Sequence, residues 1–336
     1  MNKYEQIEQE TIQTAIENLQ KTALIKATWK KGANEKLDGE LDIVVGGKPL
    51  HFLLEVKGEL RNHNLLKILK QANQWKNLMI VANRIWPGVK EELRAKQIAY
   101  LEGNGNIFID KKPIFIWLDH NKPLPQQRDK PNRAFARAGL QVIFLFLTDP
   151  NFLNRPYRLI AKAANTALGN INNVINGLLD LGFLIRKNKN ELMFADKKGL
   201  LNKWIVAYEE RLKPTLHVGN YRFLDKATDW KNFDLKTGEP VWGGEPGGDI
   251  LTHYLRPEIL TLYTREPQRN LMQQFRMVPD KLGTIKIYQK FWNDIEVPKP
   301  QVAPPLLVYA DLINTNDKRC RETAQKIYEQ YIEPDL

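Results

Sequence analysis

The spacing of apolar and polar residues changes period several times along the chain, and each change predicts an element. Ile7, Thr11, Ile12, Ala15, Ile16 and Leu19 recur at helical spacing, which predicts an amphipathic helix over residues 4–20. Short strand-like runs follow near residues 23–29, 40–45 and 50–56, with Gly46-Gly47 as a turn between the last two. Leu65, Leu66, Ile68, Leu69 and Ala72 predict a helix over residues 64–75. NLMIVANRI reads as a buried strand. PGVKEELRAKQ, with Pro87 at a first-turn position, reads as a helix. IAYL and NIFID are strands around the Gly103-Asn104-Gly105 turn, and PIFIWL closes the series. Residues 1–118 are therefore expected to form an α/β domain, a mixed sheet flanked by helices.

Residues 119–137 are rich in Pro, Asn and Arg and poor in large apolar side chains, as a linker is. Residues 138–214 read as mostly helical. GLQVIFLFLTD is a helix or a buried strand, RPYRLIAKAANTA and GNINNVINGLLDLGFL are two helices, and FLIRKNKNELMF alternates as a β-hairpin does. LLNKWIVAYEERL is a further amphipathic helix. Residues 215–336 read as a third, α+β domain, with EILTLYT, TIKIYQKFW and PLLVYADLI as strands and a closing helix near residues 318–331.

Charge narrows the function classes. A net charge of +11 over 336 residues favours an acidic partner, nucleic acid first and an anionic membrane surface second. A basic protein with no polyanion partner is the alternative. The single cysteine, Cys320, excludes an intramolecular disulfide and a cysteine-based zinc site and fits a reducing cytoplasm. The polar, acidic start is no signal peptide, and the longest apolar run, residues 140–147, is too short to cross a bilayer. No membrane role is expected, and the expected location is cytoplasmic.

Candidate chemistry sits on the second and third strands. Glu55 and Lys57, two apart on a strand, share a face, and a turn at Gly46-Gly47 is expected to bring Asp42 beside them. Two adjacent carboxylates repel unless a cation lies between them, and hard oxygen donors suit Mg²⁺ or Mn²⁺. Such an ion would activate a water for attack on phosphate, with Lys57 orienting it or stabilising developing charge. Asp42, the twelve residues after it, and Glu55-Val56-Lys57, in this order of elements, resemble the PD-(D/E)xK superfamily of restriction-endonuclease-like nucleases. Gln71 in QANQW is similar to the QxxxY motif of RecB-like members, with Trp75 in place of Tyr. The resemblance implies catalytic roles for Asp42, Glu55, Lys57 and Gln71, a metal held by Asp42 and Glu55, and Glu17 as a further helix carboxylate. The opposing reading is a structural or degenerate fold whose acids are merely solvated.

The middle segment resembles a winged helix-turn-helix. Ile160, Ala161 and Ala164 would pack the first helix, and Ile171, Val174, Leu178 and Leu179 the recognition helix, with residues 185–194 as the wing. Asn170, Asn172, Asn173 and Asn176 on the polar face could read adenine edges of double-stranded DNA. Arg158 and the wing residues Arg186, Lys187 and Lys189 could neutralise phosphate. Residues 151–200 carry eight basic side chains against three acidic ones, which suits that role. A winged helix used for packing or dimerisation is the alternative.

In the C-terminal segment, WGGEPGGD lacks the ending of a phosphate-binding loop and the spacing of a dinucleotide turn. A turn capping a helix near Asp249 is expected instead, with Asp249 as the N-cap. Asp311 and Glu322 are expected in solvated or capping roles. WGGEPGGDILTHYL and PLLVYADLINTNDKRCRETAQKIYEQYI, together with the winged helix, resemble AbiEi-type antitoxins, which regulate transcription in toxin–antitoxin pairs. In that family the winged helix lies at or near the N-terminus, whereas here about 135 residues precede it.

Two functions remain in view. One is a Mg²⁺- or Mn²⁺-dependent DNA endonuclease. The other is a non-enzymatic AbiEi-like regulator that binds DNA, with a cognate toxin as partner. A homodimer is compatible with either.

Overall fold

The structure is a computed structural model that describes residues 3–32, 37–125, 132–188, 191–225, 230–233, 235, 239–293 and 295–336. The chain divides into two compact units, Met1–Gln127 and Arg128–Leu336.

The first unit is built on one seven-stranded sheet in sequential order. Helix α1 (Lys3–Ala23) is followed by β1 (Lys26–Lys30), β2 (Gly39–Val45) and β3 (Lys48–Leu60), then by α2 (Asn62–Gln74), β4 (Leu78–Ile85), α3 (Pro87–Ala95), β5 (Ala99–Glu102), β6 (Ile107–Lys111) and β7 (Ile114–Leu118). The stretches β3–β4 and β4–β5 pair in parallel, because α2 and α3 carry the chain back between them; the other neighbours are antiparallel. Both faces are covered. Ile12, Ala15 and Leu19 of α1 pack on Leu41, Ile43, Phe52, Leu54 and Val56. Leu65 and Ile68 of α2 and Val89 and Leu93 of α3 pack on Ile80, Ala82 and Tyr100 on the opposite face.

The β2–β3 hairpin sets everything that follows. Gly46 and Gly47 both have positive φ, 55° and 78°, which only glycine adopts without strain, and they close a two-residue loop between the partners Val45 and Lys48. Each residue of β2 is thereby assigned one partner on β3, from Gly39 opposite Leu54 to Asp42 opposite His51.

The second unit starts with α4 (Arg137–Thr148), whose residues 139–147 are all buried. It continues through α5 (Tyr157–Ala163), α6 (Leu168–Asp180), the hairpin β8 (Leu184–Arg186) and β9 (Leu192–Phe194), α7 (Lys197–Ala207) and the short α8 (Lys213–Leu216). Then come β10 (His217–Phe223), β11 (Val241–Gly243), α9 (Gly244–Thr252), β12 (Leu260–Thr264), α10 (Gln268–Gln274), β13 (Met277–Pro279), β14 (Ile285–Gln289), α11 (Pro305–Ile313) and α12 (Lys318–Ile327). The five strands from β10 to β14, leaving aside the β8–β9 hairpin, form a sheet in the order β11-β12-β14-β10-β13, with β12 and β14 parallel. One hydrophobic cluster includes residues from Ala134 to Ile332, so α4, α6 and α7 share a core with α11 and α12.

Two local expectations change. PLLVYADLI is a helix and not a strand: Pro305 occupies its first turn, and its residues 306–313 are all buried. A largely apolar run with eight consecutive buried residues has no period that separates helix from strand. Asp249 is not an N-cap either. Helix α9 begins five residues earlier at Gly244, and Asp249 is buried within it, paired with Lys231 at 2.7 Å.

Candidate functional site

On β3, side chains 55, 57 and 59 face the α2–α3 layer, while Phe52, Leu54 and Val56 face α1. Glu55 is 4% exposed. Its Oε1 lies 2.6 Å from Lys57 Nζ and 3.9 Å from Lys67 Nζ, and its Oε2 accepts a 2.9 Å hydrogen bond from Gln71 Nε2 on α2. Lys57 Nζ also donates to the Val56 carbonyl at 2.7 Å. The structure thus brings three of the four expected residues, Glu55, Lys57 and Gln71, into one cluster.

Asp42 is not in it, and the hairpin register gives the reason. Asp42 pairs with His51, four residues before Glu55 on β3, a separation of about 13 Å along a strand. Its carboxylate bonds His51 Nδ1 at 2.8 Å and approaches Lys30 at 3.9 Å, and its side chain is 42% exposed. The expectation that Asp42 lies beside Glu55 and Lys57 is corrected accordingly.

The acid next to Glu55 is Asp38. The ladder ends at Gly39–Leu54, and Asp38 follows at its end: the Asp38 amide donates to Leu54 O at 3.0 Å, Asp38 Oδ2 accepts from the Val56 amide at 2.6 Å, and its carboxyl feels the charge of Glu55. Burial raises the Asp38 carboxyl above its ordinary pKa, opposed by the Val56 amide and reinforced by the charge of Glu55. A two-residue turn at Gly46-Gly47 already contains half of this answer: partner numbers must then sum to 93, which sets Asp42 against His51 and leaves the residues before Gly39 nearest Glu55.

Two further observations bear on a cation. The Oε1 of Gln71 is buried and has no hydrogen-bond partner. Two carboxylates and an unpartnered amide oxygen are a hard-donor set that fits Mg²⁺ or Mn²⁺ chemically. Among the described residues no group of three or more His, Cys, Asp or Glu side chains stands together as a metal site, so the set has two acids and not three. Glu17 lies on α1, on the other side of the sheet from Glu55, and bonds Gln13.

The expected nucleic-acid residues lie on α5, α6 and the β8–β9 hairpin. Helix α6 buries Ile171, Val174, Ile175 and Leu178 and leaves Asn172, Asn173 and Asn176 exposed. Asn170 is half-buried and donates to Thr166 Oγ1 at 3.0 Å, which ties it to the turn between the helices. Arg158, Arg186 and Lys187 are exposed, and Lys187 pairs with Glu191 at 3.1 Å. Lys189 lies outside the described residues.

Asp311, expected from the sequence in a solvated or capping role, is instead the most buried acid among the described residues of the second unit. Asp311 is 4% exposed and sits among Tyr208, Tyr263 and Lys213. It accepts from the Tyr208 hydroxyl at 2.9 Å, the Tyr263 hydroxyl at 2.9 Å and the Gly244 amide at 3.3 Å, and Lys213 Nζ lies 3.1 Å away. Burial alone would lower the Lys213 pKa, but the charges of Asp311 and Glu209 outweigh it and raise it. Burial holds the Tyr208 and Tyr263 hydroxyls neutral. Every polar atom in this group has a partner inside the protein, which is the arrangement of a structural network. Glu322 lies elsewhere, accepting from the Tyr254 hydroxyl at 2.9 Å. The Cys320 thiol is pushed up to about 12 by burial and then by the charge of Glu245, so it is an unreactive core group.

A cleft of about 600 Å³ opens at the carboxyl ends of β12 and β14, lined by Thr264, Arg265, Gln268, Lys290 and Asn293 among others. Its cations are held internally. Arg265 binds the Trp292 carbonyl and the Asn293 side chain, and Lys290 pairs with Glu239 at 3.0 Å.

Residues 192–333 match a protein-family model described as "Transcriptional regulator, AbiEi antitoxin, Type IV TA system". The match runs from β9 to the C-terminal helices and contains the whole Asp311 network. Residues 192–333 of this chain are therefore similar to a family of antitoxin regulators. Neither the curated proteins nor the solved structures contain a match to the chain. Among the described residues no helix is long and apolar enough to cross a membrane.

Proposed function

We propose that this protein is a DNA-binding transcriptional regulator of the AbiEi antitoxin kind, with α5 and α6 as a helix-turn-helix and β8–β9 as its wing. The observation that carries the reading is the exposed Asn172-Asn173-Asn176 face of α6, backed by an apolar buried face, with the family-matched region beginning at residue 192 in the following hairpin. Asparagine can donate and accept at an adenine edge, and Arg158, Arg186 and Lys187 supply phosphate contacts that position the helix without reading sequence. A cognate toxin is the protein partner this reading implies. The test is fluorescence anisotropy with duplex DNA taken from upstream of the gene. Asn172→Ala with Asn176→Ala should weaken binding to that DNA about tenfold or more and leave binding to unrelated duplex nearly unchanged. Equal losses on both duplexes would show that the α6 face does not read bases.

A second reading is favoured by the convergence of Asp38, Glu55, Lys57 and Gln71 on the first unit's sheet. We infer a restriction-endonuclease-like phosphodiesterase site there, in which Asp38 takes the place expected for Asp42. Asp38, Glu55 and the Gln71 amide oxygen would hold Mg²⁺ or Mn²⁺. The bound ion would supply charge neutralisation on a phosphate oxygen and a more acidic water. Lys57, held 2.6 Å from Glu55, would keep its ammonium beside the reacting phosphate. Plasmid relaxation with either ion tests this. Wild type and Asp42→Asn should cut, while Asp38→Asn and Lys57→Ala should lose at least a hundredfold in rate. No cutting of DNA or RNA by wild type with either ion would remove the enzymatic reading and leave the regulator.

A further inference from the structure

The carboxyl ends of β3 and β4 hold a group of cationic features that no acid in the first turn of either helix offsets. These two strands are parallel neighbours, with Glu59 opposite Arg84 and Leu60 opposite Ile85. At their ends the chain enters α2 directly after Arg61 and α3 directly after Trp86, and the Trp86 amide donates to the Leu60 carbonyl at 3.1 Å. The N-termini of a 13-residue and a nine-residue helix therefore start side by side. Neither N-cap side chain accepts a hydrogen bond from its helix, and neither helix has an acid in its first turn. The positive ends of both helix dipoles lack the compensation that Asp, Ser or Glu ordinarily provides.

Two guanidinium groups stand at the same point. The Cζ of Arg61 lies 4.2 Å, and that of Arg84 4.5 Å, from the centroid of the Trp86 indole. Glu59 pairs with Arg61 at 2.8 Å. Arg84 has no acidic partner among the described residues; the indole is what holds it. Two arginines stacked on one tryptophan repel each other, and Glu59 pairs with Arg61 and not with Arg84.

Unpartnered polar atoms lie beside them. The Nε1 of Trp86 and the Nδ1 of His63, the second residue of α2, are both buried without a hydrogen-bond partner. A buried indole N–H ordinarily finds an acceptor, and one left without is destabilising. An indole N–H and an imidazole nitrogen without partners, next to an arginine held only by a ring, describe a place that an anion would complete.

We propose that Arg61, Arg84, Trp86 and the N-termini of α2 and α3 form a phosphate-binding site on the first unit. The ligand is a phosphate group presented on a nucleic-acid strand or as a free anion. Open α/β sheets place ligands at the carboxyl ends of their parallel strands, and helix N-termini with arginine are suited to phosphate. The site lies on the sheet face that carries Glu55 and Lys57, with Arg84 one side-chain row beyond the Lys57–Ala82 pair. It does not depend on a metal or on cleavage.

The test is the indole N–H region of a ¹⁵N-labelled spectrum of the full chain in EDTA, with the Trp86 signal identified by its loss in Trp86→Phe. The chain carries Arg186→Ala and Lys187→Ala, so that the hairpin contributes nothing. On titration with inorganic phosphate, and separately with a short single-stranded oligonucleotide, the Trp86 signal should shift and saturate. Arg84→Gln should raise the half-saturating concentration about tenfold, the equivalent of 1.4 kcal/mol. Arg84→Lys should recover part of that loss. An oligonucleotide that saturates well below inorganic phosphate identifies a strand as the ligand, and equal saturation identifies the free anion. A Trp86 signal that moves with neither ligand overturns the proposal, and so does an Arg84→Gln protein that folds and binds like its parent. The titration is run without a divalent ion and reads no cleavage, so a failure of the phosphodiesterase reading would not be mistaken for a failure of this site.

Discussion

Single residues here are tuned by what they are buried against. His63 is the clearest case: burial, followed by the charge of Arg61, lowers its pKa to about 4. The folded state therefore keeps His63 neutral where the unfolded chain would protonate it near 6.5. The sign follows directly. A depressed folded pKa gives a contribution present above pH 6.5 that is lost as the pH falls toward 4. His63→Asn should flatten the pH dependence of stability in that window by on the order of 2 kcal/mol, read from urea unfolding of both proteins at pH 7.0, 5.5 and 4.5. An unchanged slope would mean that His63 protonates freely in the fold. Asp38 and Asp42 make the same point about environment. They are four residues apart on one face, yet one is raised by burial and the other is a half-exposed partner of His51.

Among elements, the β2–β3 hairpin and α6 show how far pattern reading reaches. Alternation alone places Glu55 and Lys57 on one face, because the strand period is two. Which acid stands beside them is a question of register: the Gly46-Gly47 loop excludes Asp42, and the Asp38 bond to the Val56 amide places Asp38 there. The signal was present in the two-residue loop length, but it is arithmetic about pairing and not a motif. Helix α6 was legible more fully. Its apolar residues recur at helical spacing, so the opposite face had to be the asparagines. Base reading by two asparagines sets the size of the loss expected for Asn172→Ala with Asn176→Ala, since each good bidentate pair discriminates by about 1–3 kcal/mol. Asn170 stands apart because its amide already serves Thr166. The Arg186 and Lys187 contribution should instead appear in the salt dependence, weakened at Lys187 by its pairing with Glu191.

At the level of the whole molecule, each unit has its own logic. The first is a sheet in sequential strand order with a helix layer on each face, and its polar side chains of interest gather at one face. The second is held by a core that runs from Ala134 to Ile332 and contains a buried charge network. Asp311 on α11 ties Tyr208, Lys213, Tyr263 and the start of α9 together. Removing Lys213 would leave that carboxylate buried and short of its counter-charge. Lys213→Met should therefore destabilise the second unit by about 3 kcal/mol, seen in urea unfolding followed by tryptophan fluorescence at pH 7. A change below 1 kcal/mol would show that the tyrosine hydroxyls and the Gly244 amide suffice alone. The sequence by itself determined the elements whose hydrophobic period is unambiguous, the basic character of the chain, and the shared face of Glu55 and Lys57, since these depend only on local spacing and charge. Tertiary structure decided that Asp38 stands beside Glu55, that Asp311 is buried, that PLLVYADLI is helical, and that Arg61, Arg84 and Trp86 meet. Each of these depends on pairing or packing between segments distant in sequence, where burial free energy overrides local preference.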